Sequence, residues 1–145
     1  MSGYKFKNID KLKRNREIEG TIGTPVHFKK VGVTFQVLAA TDANSRWRQF
    51  GDDYLNEYRR LQRAGADEAR ITKFLAENIT RMFVIGWPQP PVHEDDTPVP
   101  FSTEACVAYL IEADDVIPAI LAVVGETTNY RGEAVEIVAG ELKNS

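Results

Sequence analysis

Cysteine and histidine are scarce, with one cysteine and two histidines in 145 residues. A lone Cys106 cannot close an intrachain disulfide. Its setting, ACVAYLI, suits a small packed hydrophobe rather than a nucleophile. His27 and His93 supply neither the paired spacing of a zinc site nor a partner beside a Ser or Cys nucleophile, and no Gly-x-Ser-x-Gly elbow occurs. Gly20, Gly23 and Gly32 lie among strand-like residues, whereas a phosphate-cradling loop joins a strand to a helix. No apolar run approaches the roughly 18 residues of a membrane span. The start, MSGYKFKNIDKLKRNRE, lacks the apolar stretch of a signal peptide, so a cytoplasmic chain with no membrane contact is expected. These absences leave no recognisable active site, metal site or cofactor motif, and a non-enzymatic protein is expected.

What is present is an ordinary globular composition, 43% hydrophobic and 27% charged, in a chain sized for one domain. Charge is unevenly distributed. Residues 1–16 hold six Lys/Arg and one acid, whereas residues 94–145 hold two Lys/Arg and eleven acids. Residues 1–16 read as a basic, mobile arm and residues 17–145 as the domain. A lysine-rich tip without interleaved aromatics is a weak nucleic-acid signal, and the acidic third would repel phosphates, so no nucleic-acid partner is expected.

From about Glu17 to Ala40 the pattern has period two. Val26 and Phe28 alternate with His27 and Lys29, and Val31, Val33, Phe35 and Val37 alternate with Gly32, Thr34 and Gln36. This predicts a small antiparallel hairpin or meander whose apolar face must cover helices or a partner chain. His27 is expected on the polar face.

The remainder, about residues 43–143, reads as four or five helices, giving an α+β fold. Thr41 or Asp42 is placed to cap a helix from about Ala43 to Ala64, with Trp47, Phe50, Tyr54, Tyr58 and Leu61 in one stripe. Gly65 ends it. Asp67 caps a second helix reaching about Ile85, and the short link makes the two an αα-hairpin. Ser102 opens another helix. Asp114 and Asp115 start the next, with Pro118 tolerated in its first turn. A last amphipathic segment, about Tyr130 to Leu142, repeats Ala134, Ile137, Val138 and Glu141 at helical spacing.

Between the helical pairs lies GWPQPPVHEDDTPVPFS, residues 86–102. Its histidine and three acids, His93 and Glu94 to Asp96, raise the question of a metal. Neither a zinc spacing nor the glycine-centred alternation of a calcium loop is present, and five prolines make an extended connector with an acidic tip the simpler reading. The aromatic stripe beside Arg46, Arg48, Arg59 and Arg60 could stack bases, but helical spacing favours a core stripe with a charged flank.

The order of segments carries a further signal. FKNIDKLKRNREIEGTI, then VGVTFQVLAAT, then NSRWRQFGDDYLNEYRRLQRAG, then ITRMFVIGWPQPPVHEDDTPVPFSTEACVAYLI and finally NYRGEAVEIVAGELKNS resemble, over nearly the whole chain, the tail assembly chaperones of long-tailed bacteriophages. The most telling parts are a helix ending at Gly86-Trp87, an acidic loop closing with Pro98-Val99-Pro100-Phe101-Ser102, and Asn129-Tyr130-Arg131 followed by Glu133. Pro88, Gln89, Pro90 and Pro91 depart from the family, which often has an acidic, glycine-containing turn there.

The resemblance implies a helper made in the host cytoplasm that binds the tape measure protein before the tail tube polymerises and is absent from the mature virion. Tail tube protein and further copies of the chain are additional expected partners. Val33, Phe35 and Val37 on the hairpin, with Trp47, Phe50 and Tyr54 on the first long helix, are the candidate partner-binding residues. Trp87, Phe101 and Ser102 are the candidate anchors of the connector, about residues 87–101. The alternative function is a structural virion component, such as a tail-tube or neck/tail completion protein. A third reading, a metal-dependent hydrolase or nucleic-acid modulator, would use Glu94 to Asp96 and the basic end.

Overall fold

The period-two stretch folds as an antiparallel hairpin in the computed structural model of the chain, which describes residues 3–11 and 13–138. Strand β1, Thr24–Phe28, pairs with β2, Val33–Val37, in the register Val26 opposite Phe35. Alternation places Val26, Phe28, Val33, Phe35 and Val37 on a buried face, while His27 and Thr34 meet on the other, His27 Nδ1 lying 2.7 Å from Thr34 Oγ1. Gly32, at φ 66°, supplies the left-handed residue that the intervening turn needs.

Two later segments complete the sheet. Strand β3, Val84–Gln89, pairs antiparallel with β2, and β4, Val135–Ile137, pairs parallel with β1, giving the order β3-β2-β1-β4. Both correct the helical reading. The helix expected to reach Ile85 stops at Met82, because Phe83-Val84-Ile85 is bulky and β-branched and is followed by Gly86 and Pro88, while the free edge of β2 offers pairing. Gly86-Trp87 therefore lies within a strand rather than at the end of a helix. Pro88 is tolerated because β3 is an edge strand and one amide proton can be spared there. The segment expected as a helix from Tyr130 begins with a turn at Gly132, φ 94°, and continues as β4. Its part beyond Val138, including Glu141 and Leu142, lies outside the described residues.

The α+β fold is otherwise a sheet covered on one face by the four α-helices among the described residues: α1 Ser45–Arg63, α2 Glu68–Met82, α3 Thr103–Glu112 and α4 Val116–Val124. Helix α1 ends at Gly65, φ 68°, with the Ala66 amide donating to the Leu61 carbonyl. Asp67 and Ser102 cap α2 and α3 by accepting the amides of Arg70 and Ala105. The cap of α1 is Asn44, not Thr41 or Asp42. Its side-chain oxygen accepts from the amides of Arg46 and Trp47, while its amide nitrogen donates to the carbonyls of Ala39 and Met82.

Helices α1 and α2 pair through near-parallel rings, Tyr54 on Phe74 at 5.7 Å and Tyr58 on Phe74 at 6.3 Å. Gly51 sits mid-helix, where a Cβ would come within 3.0 Å of the Trp47 ring, so its cost to the helix accompanies the stacking of Trp47 on Phe83. The core joins the sheet face to Ile79 and Met82 of α2, Leu110 of α3 and Ile120 and Val124 of α4. Burying each such side chain contributes about 1.5–3 kcal/mol.

Candidate interaction surfaces

The candidate partner-binding residues divide by burial. Val33, Phe35 and Val37 belong to the core, at most 2% exposed. Phe35 packs edge-on against Phe28 and Trp87 and tilts against Tyr109 of α3. The chain's own helices therefore cover the hairpin face, and no docking surface remains on it. Tyr54 is also buried, and Trp47 and Phe50 are half-buried. The stripe on α1 thus faces α2, with the Arg81 guanidinium 4.1 Å from the centre of the Phe50 ring.

The connector is more ordered than its prolines suggest. Trp87 is buried within β3, where its Nε1 donates to the Val99 carbonyl at 3.0 Å and its ring meets Phe101 edge-on at 5.2 Å. Phe101 remains 37% exposed, and Ser102 begins α3 directly after it. Between these points Val92 and Pro98 form an antiparallel bridge, and the His93 amide donates to the Thr97 carbonyl. Asp96 occupies the left-handed region, φ 67°. Asp95 accepts from the Thr97 hydroxyl and amide, which hold its carboxyl below the usual range. The prolines therefore frame a short hairpin with an acidic tip. Among the described residues, no three His, Cys, Asp or Glu side chains are grouped so as to hold a metal ion.

Cys106 is fully buried on α3 and accepts a hydrogen bond from the Thr80 hydroxyl at 3.3 Å. Burial pushes its thiol up to about 11, so it stays protonated and unreactive at neutral pH.

Open surfaces lie elsewhere. A groove of about 610 Å³ runs between the C-terminal half of α2, β3 and the start of α3. Ile85, Phe101 and Val107 give it an apolar side, and its charged lining is Arg46, Arg81 and Glu77, all exposed, two cations to one carboxylate. A second groove, about 210 Å³, lies at the hairpin turn beside the α3–α4 junction and has apolar walls and an acidic rim.

The basic end is also tied to the domain. Arg14 pairs with the buried Glu19 and with Asp42, and Arg16 with Asp42 at 2.8 Å. Sequence reasoning missed this clamp because Glu19, in a short π-helical turn Ile18–Ile22, looks like any surface glutamate. Its one local sign is Gly20, where a Cβ would meet the Ala43 carbonyl oxygen at 1.9 Å, a marker of close backbone approach.

Comparison of the chain with protein-family models, with curated proteins and with solved structures finds no match. No helix among the described residues is long and apolar enough to cross a membrane.

Proposed function

We propose that the protein is a non-enzymatic tail assembly chaperone that binds the tape measure protein of a long-tailed bacteriophage and keeps it soluble in the host cytoplasm. The proposal starts from the ordered resemblance of the segments. The observation that carries it further is the groove between α2, β3 and α3, where Phe101, Ile85 and Val107 share the lining with Arg46 and Arg81, two cations against the single carboxylate of Glu77. An amphipathic helix laid in such a groove buries its apolar stripe and meets the arginines with its acidic residues. A tape measure protein is a long helical chain whose apolar stretches aggregate when uncovered. A shallow, mixed groove suits transient cover better than permanent capture.

The acidic third of the chain supports the same role, since net negative charge keeps a loaded complex dispersed. Self-association, and contact with the tail tube protein, belong to the same reading.

Co-expression with the tape measure protein of the same phage tests it. A soluble complex is expected, lost or weakened by Phe101→Ser together with Arg81→Glu. A tape measure protein that stays insoluble and never co-elutes overturns the proposal. Mass spectrometry of purified particles separates the alternative, because a tube or completion protein is abundant there and a chaperone is missing.

A further inference from the structure

Strand β4 delivers the chain to the mouth of the groove at the hairpin turn. It runs parallel to β1 with Phe28 opposite Ile137, and the Lys29 amide donates to the Ile137 carbonyl at 3.1 Å. At Ile137 the backbone therefore points the same way as β1, toward the turn that holds Lys30 and Val31. Ile137 is itself part of the groove, together with Phe28 and, at the side, Val31. Val31 is 53% exposed, an apolar side chain left in water beside an apolar wall. The charges of the groove fall in a fixed order. Lys30 stands at the hairpin turn, and Glu112, Asp114 and Asp115 stand at the α3–α4 junction.

The sequence after Val138 is AGELKNS, residues 139–145, outside the described residues. Leu142 is its one large apolar residue, and it stands between Glu141 and Lys143. We infer that the groove is the seat of the chain's own Leu142. Five residue steps from Ile137 give Leu142 a reach of at most about 18 Å. Val31 lies well inside that reach, since its amide donates to the carbonyl of Phe28, the residue opposite Ile137. A segment entering from the turn brings Glu141 to Lys30 first, lays Leu142 over Phe28 and Val31, and carries Lys143 on to Asp114 and Asp115. Its order of charge, acid and then base, meets the groove's base and then acid. Because the segment is tethered, it faces the groove at an effective concentration on the order of millimolar, so weak intrinsic affinity suffices. The contact closes this groove to other chains and leaves the one between α2, β3 and α3 open. It does not depend on the chaperone reading or on any cargo.

The accessibility of a thiol at position 31 tests the seat. Val31→Cys places one on the groove wall, and Ile22→Cys places a control at the opposite end of the hairpin. Both positions are exposed, so both variants should fold, which circular dichroism checks. Cys106 is buried, its thiol pushed up to about 11, and stays silent. Alkylation of Val31→Cys by iodoacetamide is expected to run at least about tenfold faster once Leu142→Ser is added. Lys143→Glu should accelerate it partway, and Ile22→Cys should be unaffected by either change. The rates should not vary with protein concentration, as a contact within one chain requires. An equal rate with and without Leu142 overturns the seat, and so does acceleration at both positions, which would mean general loosening. Protection that grows with protein concentration overturns it as well, because another copy would then be covering the groove.

Discussion

The guanidinium of Arg14 grips the carboxylate of Glu19 with two hydrogen bonds, Nη2 to Oε1 at 2.5 Å and Nε to Oε2 at 3.1 Å. Glu19 is sealed from solvent, and the Thr41 hydroxyl donates to the same carboxylate. The Arg14 bonds hold the carboxyl below its ordinary value of 4.5, outweighing burial, which acts the other way, with Thr41 adding to the lowering. The clamp therefore joins the start of the domain to the loop that leads into α1.

A carboxylate with a lowered folded-state pKa contributes stability above about pH 4.5, and that contribution is lost as pH falls through the folded value. Glu19→Gln keeps the shape and removes the charge. It should cost about 2 kcal/mol at neutral pH. The wild type and the variant should converge in acid, because the wild type then loses the same interaction. Urea unfolding across a pH series measures both curves, and a gap that stays constant into acid would refute the assignment.

Asn44 makes a second prediction. Its amide nitrogen donates to Ala39 and Met82 carbonyls at 2.9 and 3.0 Å, so the end of β2, the start of α1 and the end of α2 meet on one buried side chain. Asn44→Asp keeps the capping oxygen and replaces the donor with an acceptor that faces two carbonyls. It should destabilise by about 3 kcal/mol at neutral pH, with the loss shrinking in acid as the carboxyl gains a proton to donate. Asn44→Ser, which still caps, should fall between the two. Thermal melts at two pH values suffice, and an Asp variant as stable as wild type would remove the proposed junction.

The parts legible in the sequence were those set by local pattern. The alternation through Phe35 and the stripe through Tyr54 each repeat often enough to fix an element, and Asp67, Ser102 and Gly65 sit where capping chemistry puts them. Strands β3 and β4 were not legible. Val84–Gln89 and Val135–Ile137 are too short for a period to separate helix from strand, and each is set by the edge it completes. The same limit hid the surfaces. Val33 and Val37 read as a bare face because the sequence does not say which helices return to cover it. The grooves arise from residues far apart in the chain, such as Val31 with Tyr109 and Ile137.

Tyr130 gives a prediction of opposite sign. Its ring is fully buried, and its hydroxyl has no hydrogen-bond partner among the described residues. Burial, and then the charge of Glu19, push the phenol well above its ordinary value, so the group stays neutral. Tyr130→Phe removes a desolvated donor without emptying the site and should stabilise by about 1 kcal/mol. Urea denaturation with an unchanged slope would record this. A net loss would show that the hydroxyl has a partner in solution.

The acidic tip of the connector separates a structural acid from decorative ones. Asp95 accepts two hydrogen bonds from Thr97, whereas Glu94 and Asp96 are exposed and make no hydrogen bond through their carboxylates among the described residues. Glu94→Ala should therefore change stability by less than about 0.5 kcal/mol. Asp95→Ala opens the turn between His93 and Thr97 and should lower stability more than Glu94→Ala, though solvent competes for these exposed bonds. Asp96→Gly should be neutral or slightly stabilising, since the left-handed backbone at φ 67° suits glycine. Trp87→Phe keeps the apolar contact with Phe101 but leaves the Val99 carbonyl without its indole donor, so its cost should exceed that of every substitution in the tip. The order of the four losses, read from one set of unfolding curves, decides the matter. A ranking with Glu94 at the top would place the function of the loop in its charges rather than in its attachment.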